Sequence, residues 1–463
     1  MGDDDQNIYA FDGASVEFIR RFEIDYDAKP AYLTDNYRST AHIIAAANLL
    51  IQPASRRMKN EHPIAIDRAR RKAPAGGDWK VFDRMAQGRV QILPAGGDPL
   101  TQAVAVMGEL ERLSHLAPAW EWARAAVIAR EWKFLDPIRS YCELNGIPVQ
   151  MADEETPQFW RLRETQRLIE WLHAREVKLV DTIAIGHWLN SRPTGPWWAL
   201  LREAVEEYGL ETRETELPIG HFIEWLVEWG REVRRRQTGL ILLTAHRAKG
   251  LEFDHVAVLD GGWERVGRNE DRDAVRRLYY VAMTRAAKTL TLAHFDRAHA
   301  LLDALPKDAG FLLRAPTHLP APTAELERRY RRLTPREVDL GFAGRFKPGH
   351  FVHQAIASLT ANDPLTLRQQ KGRWELLDHK ERTVGRLSNA FTPLKDMTCI
   401  EARVDAIISR RRKECEPEYG VHVRCERWEV IIPELVFSDH SFPELYGMSP
   451  ERCDSSEDLQ PAV

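Results

Sequence analysis

Cysteine is scarce in this chain and badly placed for bridging. The five cysteines, Cys142, Cys399, Cys415, Cys425 and Cys453, are odd in number and form no CxxC pair, which disfavours both a disulfide framework and a zinc site. Long apolar runs are missing as well, since no stretch approaches the roughly 18 apolar residues of a membrane span. The start, Met1-Gly2-Asp3-Asp4-Asp5, is acidic where a secretory signal is basic. A reduced, cytoplasmic protein is therefore expected. Positive charge is not in surplus either: the net charge is −4, with 65 Lys and Arg against 69 Asp and Glu. Any affinity for phosphates must come from where the cations are placed. Finally, the 463 residues contain no GxxxxGK[ST] loop. Such a loop supplies backbone N–H groups and a lysine to nucleotide phosphates, and a hydroxyl to magnesium.

What is present is an ordinary globular composition, 44% hydrophobic and 29% charged, on a chain long enough for two to four domains. The densest signal lies between Leu240 and Leu292. An apolar run, Leu240-Ile241-Leu242-Leu243, enters Thr244-Ala245-His246-Arg247-Ala248-Lys249-Gly250-Leu251-Glu252-Phe253-Asp254 and continues into His255-Val256-Ala257-Val258-Leu259. Then follow Arg276-Arg277-Leu278-Tyr279-Tyr280-Val281-Ala282-Met283-Thr284-Arg285-Ala286 and the apolar Thr289-Leu290-Thr291-Leu292. Short apolar runs bounded by polar loops suit parallel strands buried on both faces. Ligand-contacting groups collect on loops beyond the ends of such strands. A helix carrying Arg276, Arg277 and Arg285 offers fixed guanidinium forks for phosphate. Taken singly, each of these arginines reads as part of a solvated helix face.

Together the strings TxHxxKGLEFD and RLYYVAMTRA resemble motifs V and VI of the UvrD/Rep-type superfamily 1 DNA helicases. Two further strings extend the resemblance over roughly the first two-thirds of the chain. Gly2 to Ala14, GDDDQNIYAFDGA, is similar to motif III, with Asp12 where the family carries arginine; Leu33 to Thr40, LTDNYRST, is similar to motif IV. The resemblance implies ATP and Mg2+ as cofactors, with the magnesium ligands on a phosphate-loop half that this chain does not carry, and no metal ligands here. It implies catalytic roles for Arg38 and Arg285 as arginine fingers and for Gln6 as a polar sensor near the terminal phosphate. Tyr37 would stack on adenine, while Gly250 and Glu252 face the nucleotide. Tyr9 and Phe11 would contact bases, and Thr244 and His246 the single-strand backbone. Read alone, NYRS is a helix N-terminal turn, Tyr9 and Phe11 are core residues, and His246 is a core histidine.

Alternating strands and helices between Arg89 and Val149 indicate a doubly wound parallel α/β sheet, in agreement with a RecA-like motor domain. The resemblance places a remnant of a first motor domain at 1–25 and a second motor domain at 26–150 and 238–313. Between them, 151–237 reads as a helical insertion, with Trp160, Leu168, Ile169, Trp171 and Leu172 on one apolar face and Phe222, Trp225, Leu226 and Trp229 on another. Tryptophans at helical spacing are more often core than base-stacking groups. A linker with a basic helix, Ala324 to Leu333, is expected at 314–335, a small β-rich module of SH3-like barrel type at 336–440, and a disordered tail at 441–463. Gly349 to His353 with Asp378-His379-Lys380 faintly resembles the GxxxH and DxK elements of nucleases, but Leu365 to Leu377 supplies no further aspartate for two-metal chemistry.

These features are those expected of the C-terminal portion of an ATP-dependent 3′–5′ helicase or translocase on single-stranded DNA and duplex junctions. The phosphate-loop half would then be supplied in cis or in trans, and a protein partner could meet the C-terminal module. The alternative from another class is a non-enzymatic DNA-binding or adaptor protein that keeps the motor fold.

Overall fold

The computed structural model describes residues 2–9, 16–29, 31–55, 57–152, 158–232, 239–267, 271–303, 305, 310–314, 319–416 and 420–439. Phe11, the arginine run at 234–236 and the expected tail at 441–463 lie outside the described residues. Among the described residues, no helix is long and apolar enough to cross a membrane.

Seven strands form one parallel sheet: β1 (Val90–Pro94), β2 (Ala125–Ala129), β3 (Val149–Met151), β4 (Leu240–Thr244), β5 (Phe253–Val258), β6 (Ala286–His294) and β7 (Phe311–Leu313). Their order is β7-β1-β6-β5-β2-β4-β3. The continuous apolar runs noted in the sequence form strands because both faces of this sheet are covered. Ala126 and Ile128 of β2, with Ile241 and Leu243 of β4, pack against helices α1 (Ala41–Ile51) and α8 (Ala274–Met283). The alternate residues Ala125, Val127, Leu240 and Leu242 pack against α2 (Pro99–Leu116) and α3 (Asp136–Leu144). This is a doubly wound sandwich with apolar period two on every central strand. Asp98 caps α2, accepting from Leu100 N at 2.8 Å and Thr101 N at 3.0 Å, and Pro99 opens its first turn. Such a cap is worth about 1 kcal/mol.

The rest of the chain builds a second body. Helices α4 (Arg163–Ala174), α5 (Thr182–Asn190), α6 (Pro196–Thr212) and α7 (Ile219–Glu232) come from the segment expected to be an insertion. The antiparallel strands are β8 (Arg329–Arg332), β9 (Pro364–Gln370), β10 (Arg373–Leu377), β11 (Thr383–Arg386), β12 (Met397–Arg411) and β13 (Arg427–Asp439), in the order β8-β13-β12-β9-β10-β11. The sheet curls until its edges meet, where Val338 bridges Leu387 and Ser388 N donates to Glu337 O at 2.8 Å. Helices and barrel share one hydrophobic core: Leu168, Trp197, Leu201 and Phe222 pack in the same cluster as Leu376, Val404, Ile431 and Phe437. Trp197 also donates from Nε1 to Asp405 O at 3.0 Å. The sequence alone suggests two separate units here.

The expected basic helix at Ala324 to Leu333 is corrected by the structure. Ala324–Leu326 is a single turn, and Arg329–Arg332 is strand β8, paired antiparallel from Arg329 with Phe437 to Arg332 with Glu434. Arginine and glutamate favour a helix intrinsically, but partners at period two decide the outcome. Tyr330 OH donates to Glu143 Oε2 at 2.9 Å and Arg332 pairs with Asp405 at 3.0 Å. The aspartate of the nuclease-like string is occupied locally. Asp378 is committed to its own turn, accepting from Lys380 N and Arg382 N at 2.9 Å and from Arg382 Nε at 2.8 Å.

The two bodies meet through charge. Arg139 of α3 donates to both oxygens of Glu434 at 2.8 and 2.7 Å, and Arg403 joins Glu434 at 2.7 Å and Glu143 at 3.0 Å. Beside this network lies a cleft of about 680 Å³ between α3, α6 and the barrel.

Candidate functional site

Three short segments converge where β5 and β6 begin. Glu252 immediately precedes β5, Arg285 immediately precedes β6, and the Asn36–Thr40 turn is laced to β6 by Thr40 N donating to Ala287 O at 3.0 Å and Ser39 Oγ to Ala286 O at 2.7 Å. The turn is pre-shaped by Asn36, whose Oδ1 accepts from Arg38 N at 2.9 Å and Ser39 N at 2.8 Å. Arg70 supports it from below, donating to Asn36 O at 2.5 Å and Ser39 O at 3.2 Å. Asn36 and Arg70 were missed in the sequence; an Asn two residues before an arginine, the signature of an Asx turn, was the available signal. These groups gather at the amino ends of strands β5 and β6.

Within the cluster, Arg38 Nε donates to Glu252 Oε2 at 2.5 Å, and Arg38 Nη1 reaches Thr284 O at 3.4 Å. With side chains 34% and 65% exposed, this pair is worth at most about 1 kcal/mol and is readily exchanged. Arg285 differs. It is 4% exposed, and among the described residues its guanidinium donates to uncharged oxygens: Val281 O at 2.9 Å, Leu251 O at 3.1 Å and Thr284 Oγ1 at 3.1 Å. The other arginines buried to this degree each hold a carboxylate, Arg139 with Glu434, Arg163 with Glu164 and Arg277 with Asp271. Burial, with the Arg38 cation adding to it, pushes the Arg285 guanidinium down to about 10. Among the described residues, a buried cation without a hydrogen-bonded carboxylate therefore lies beside a second cation whose own anion is loosely held, an arrangement suited to an anion. Tyr37, next in the chain to Arg38, is 75% exposed, an aromatic face open to solvent.

Gln6 lies in the 3-10 turn Asp4–Gln6, its Nε2 donating to Asp3 Oδ2 at 2.7 Å. That turn is clamped to the parallel-sheet body: Arg57 holds both oxygens of Asp5 at 2.7 Å, Met58 N donates to Asp4 Oδ2 at 2.6 Å, and Lys59 pairs with Asp3 at 2.8 Å. The clustered carboxylates of Asp3, Asp4 and Asp5 are thus each held by protein donors. Ile8 completes the anchor by entering the core beside Ile43 and Ala46.

The second group of expected residues sits at the opposite strand end. Thr244 closes β4, and the chain then returns through residues 245–252 to the start of β5, crossing from the carboxyl end of the sheet to its amino end. His246 follows Thr244 and accepts at its carbonyl from Tyr9 OH at 3.1 Å. Lys249, farther along, places Nζ 4.9 Å from the centre of the Tyr9 ring. Its ammonium is pushed down by burial and, secondarily, by Arg285, while Asp3 opposes both. One eight-residue loop therefore touches both groups of residues. Gly250 permits the crossing with φ of +85°, a conformation costly for side-chain-bearing residues.

Comparison with known proteins gives a consistent result. The family model of the UvrD-like helicase C-terminal domain matches residues 239–293. A Bacillus subtilis protein, "Putative ATP-dependent DNA helicase YjcD", is 25% identical over 369 residues, 63% of this chain and 47% of that protein. This chain thus spans about half the length of that relative. DNA helicase II of Escherichia coli is 53% identical over 53 residues, 11% of this chain and 7% of its own. ATP-dependent DNA helicase UvrD1 of Mycobacterium tuberculosis is 51% identical over 61 residues, 13% of this chain and 8% of its own. Over residues 239–293 the chain is thus similar to the UvrD-like helicase C-terminal domain, and over a longer stretch it resembles a DNA helicase of which it spans about half.

Proposed function

We propose that this chain is the C-terminal portion of an ATP-dependent DNA helicase that moves 3′ to 5′ on single-stranded DNA. In this reading, Arg38 and Arg285 bind the terminal phosphate of ATP held between this motor body and a phosphate-loop motor domain, joined in cis or in trans. Bound ATP supplies the phosphoryl group, and its Mg2+ is held by that other domain. The single observation that carries the proposal is the buried Arg285 guanidinium, which has no carboxylate among the described residues.

The residues divide the work as follows. Arg285, fixed by three acceptors, meets the developing charge without reorganising. Arg38 leaves Glu252 for the phosphate as the two domains close. Tyr37 stacks on the adenine, and Gln6 reports the terminal phosphate from the anchored turn. Thr244, His246 and Tyr9 line the strand track at the other end of the sheet. The crossing loop at residues 245–252 transmits closure from one end to the other.

Single-strand-stimulated ATP hydrolysis tests this. The chain alone is expected to turn over little, and the same chain with a phosphate-loop motor domain upstream to turn over fully. Arg285→Ala is expected to lower kcat of the joined protein by about 10³ to 10⁵. If the joined protein binds single strands without hydrolysing ATP, the adaptor reading replaces this one.

A further inference from the structure

The barrel of the second body carries a projecting finger. Strand β9 pairs with β12 only at Pro364 and Leu365, while its residues Thr366 to Gln370 pair with Leu377 to Arg373 of β10. On the other side, β11 reaches β10 only at Glu375, Leu376 and Leu377. Leu387, just past β11, still donates its N–H to Trp374 O at 2.9 Å, so among the described residues the hairpin is a two-stranded ribbon from Gln369 to Arg373, with Arg368 at its base. Its tip is Gln370-Lys371-Gly372-Arg373, with φ of +50° at Lys371 and +76° at Gly372. Positive φ at both central residues is the primed turn whose twist matches the strands, so the tip is stiff.

The ribbon's chemistry is one-sided. From Thr366 to Trp374 the sequence is TLRQQKGRW, with three cations, two glutamines and no carboxylate. Arg368, Gln369, Gln370, Lys371 and Arg373 are all exposed. The nearest carboxylate by register is Glu375, opposite Arg368, and it is buried and taken by Arg386 at 2.9 Å and by Thr383 Oγ1. Elsewhere in this body most arginines hold a carboxylate, as Arg345 does with Asp339, Arg382 with Asp378 and Arg412 with Glu426. The finger departs from that habit.

We propose that the Thr366–Trp374 ribbon is a second nucleic-acid contact, which docks on duplex DNA with Arg368, Lys371 and Arg373 against phosphates and the stiff tip at the major groove. The B-form major groove, about 12 Å wide, admits a two-stranded ribbon, whereas the deep, narrow A-form groove of RNA does not. Gln369 and Gln370 supply the amide donors and acceptors that read base edges, a weaker contribution than the phosphates. The choice of DNA as partner rests on the proposed function, but the contact is independent of ATP and of Arg285.

The test is duplex binding by the full chain without nucleotide, measured by fluorescence anisotropy from about 50 to 300 mM salt, beside the triple variant R368A/K371A/R373A. Removing one phosphate-bound cation flattens the log–log salt dependence by about 1, so the slope is expected to become shallower by about 3 and duplex affinity to fall tenfold or more. Single-strand-stimulated hydrolysis by the joined protein should be unchanged, as should the melting temperature. Charge reversal at Lys371 alone, Lys371→Glu, should weaken duplex binding more than Lys371→Ala. An unchanged slope and affinity in the triple variant overturn the proposal, even if hydrolysis proceeds as expected. A loss of equal size for duplex RNA, or binding of the ribbon to an acidic protein in place of DNA, would also overturn it.

Discussion

Replacing Arg285 by glutamine removes a charge that its surroundings disfavour, whereas replacing Arg139 by glutamine removes one that its surroundings require. Both side chains belong to the motor body and both are at least nine-tenths buried, 4% and 8% exposed. The Arg285 guanidinium is pushed down from its ordinary value to about 10, chiefly by burial. At about 1.4 kcal/mol per unit, holding that charge costs on the order of 3 kcal/mol. Its three hydrogen bonds, at about 1 kcal/mol each, offset most of that amount, so Arg285→Gln should change stability by no more than about 1 kcal/mol. Arg139 instead makes two bonds to Glu434, at 2.8 and 2.7 Å, and a third to Glu143 at 3.1 Å. Truncation there leaves the buried Glu434 and the half-buried Glu143 to share Arg403 alone and should cost about 3 kcal/mol. Thermal unfolding followed by circular dichroism at low salt should separate the two variants by on the order of 10 °C. If Arg285→Gln melts as low as Arg139→Gln, the guanidinium has a carboxylate partner in solution, and its reading as a cation awaiting phosphate fails.

Other consequences follow from the same geometry. Glu434 is held down to about 2 by the Arg139 and Arg403 guanidiniums against the opposing effect of burial. Because its folded value lies below the ordinary 4.5, it contributes stability above pH 4.5 that is lost as pH falls toward 2. Acid unfolding of Glu434→Gln should accordingly be shallower than that of the unmodified chain in that window. His255, stacked on Trp120 with ring centres 4.4 Å apart, is pushed down to about 4 by burial. It must take up a proton on unfolding, so about 3 kcal/mol of stability present above pH 6.5 should disappear as pH falls toward 4, and His255→Gln should lose that dependence in urea titrations. Trp197→Ala should cost about 3 to 5 kcal/mol and lower the melting of helices and barrel together, seen as one transition by tryptophan fluorescence and by far-ultraviolet dichroism. Two separate transitions would mean that the shared core is not one cooperative unit.

The motor sheet was legible because its signals are local: Ala125 to Ala129 and Leu240 to Leu243 are apolar without interruption, and only a strand covered on both faces uses such runs. Arg38 and Arg285 could be singled out because each lies inside a contiguous string, and the structure brings both to Thr284, beside Glu252. Three features were hidden, each for a tertiary reason. Arg329 to Arg332 reads as helix until Leu435 and Val436 are available as strand partners. Union of the α4–α7 helices with the barrel depends on side chains such as Trp197 and Phe437 that meet across more than two hundred residues. The unpaired state of Arg285 is a statement about what surrounds it, and no string of letters records a missing carboxylate.

The shared core of helices and barrel also sets a schedule. Phe222 leaves the ribosome 206 residues before Trp428, a member of the same core. At synthesis rates of 5 to 20 residues per second, the interval is roughly 10 to 40 s. Throughout it, helices α4 to α7 are complete yet lack the sheet that covers their apolar faces. The motor sheet can close around β4, β5 and β6 during this delay, so the nascent protein passes through a state with a finished motor and an unfinished companion.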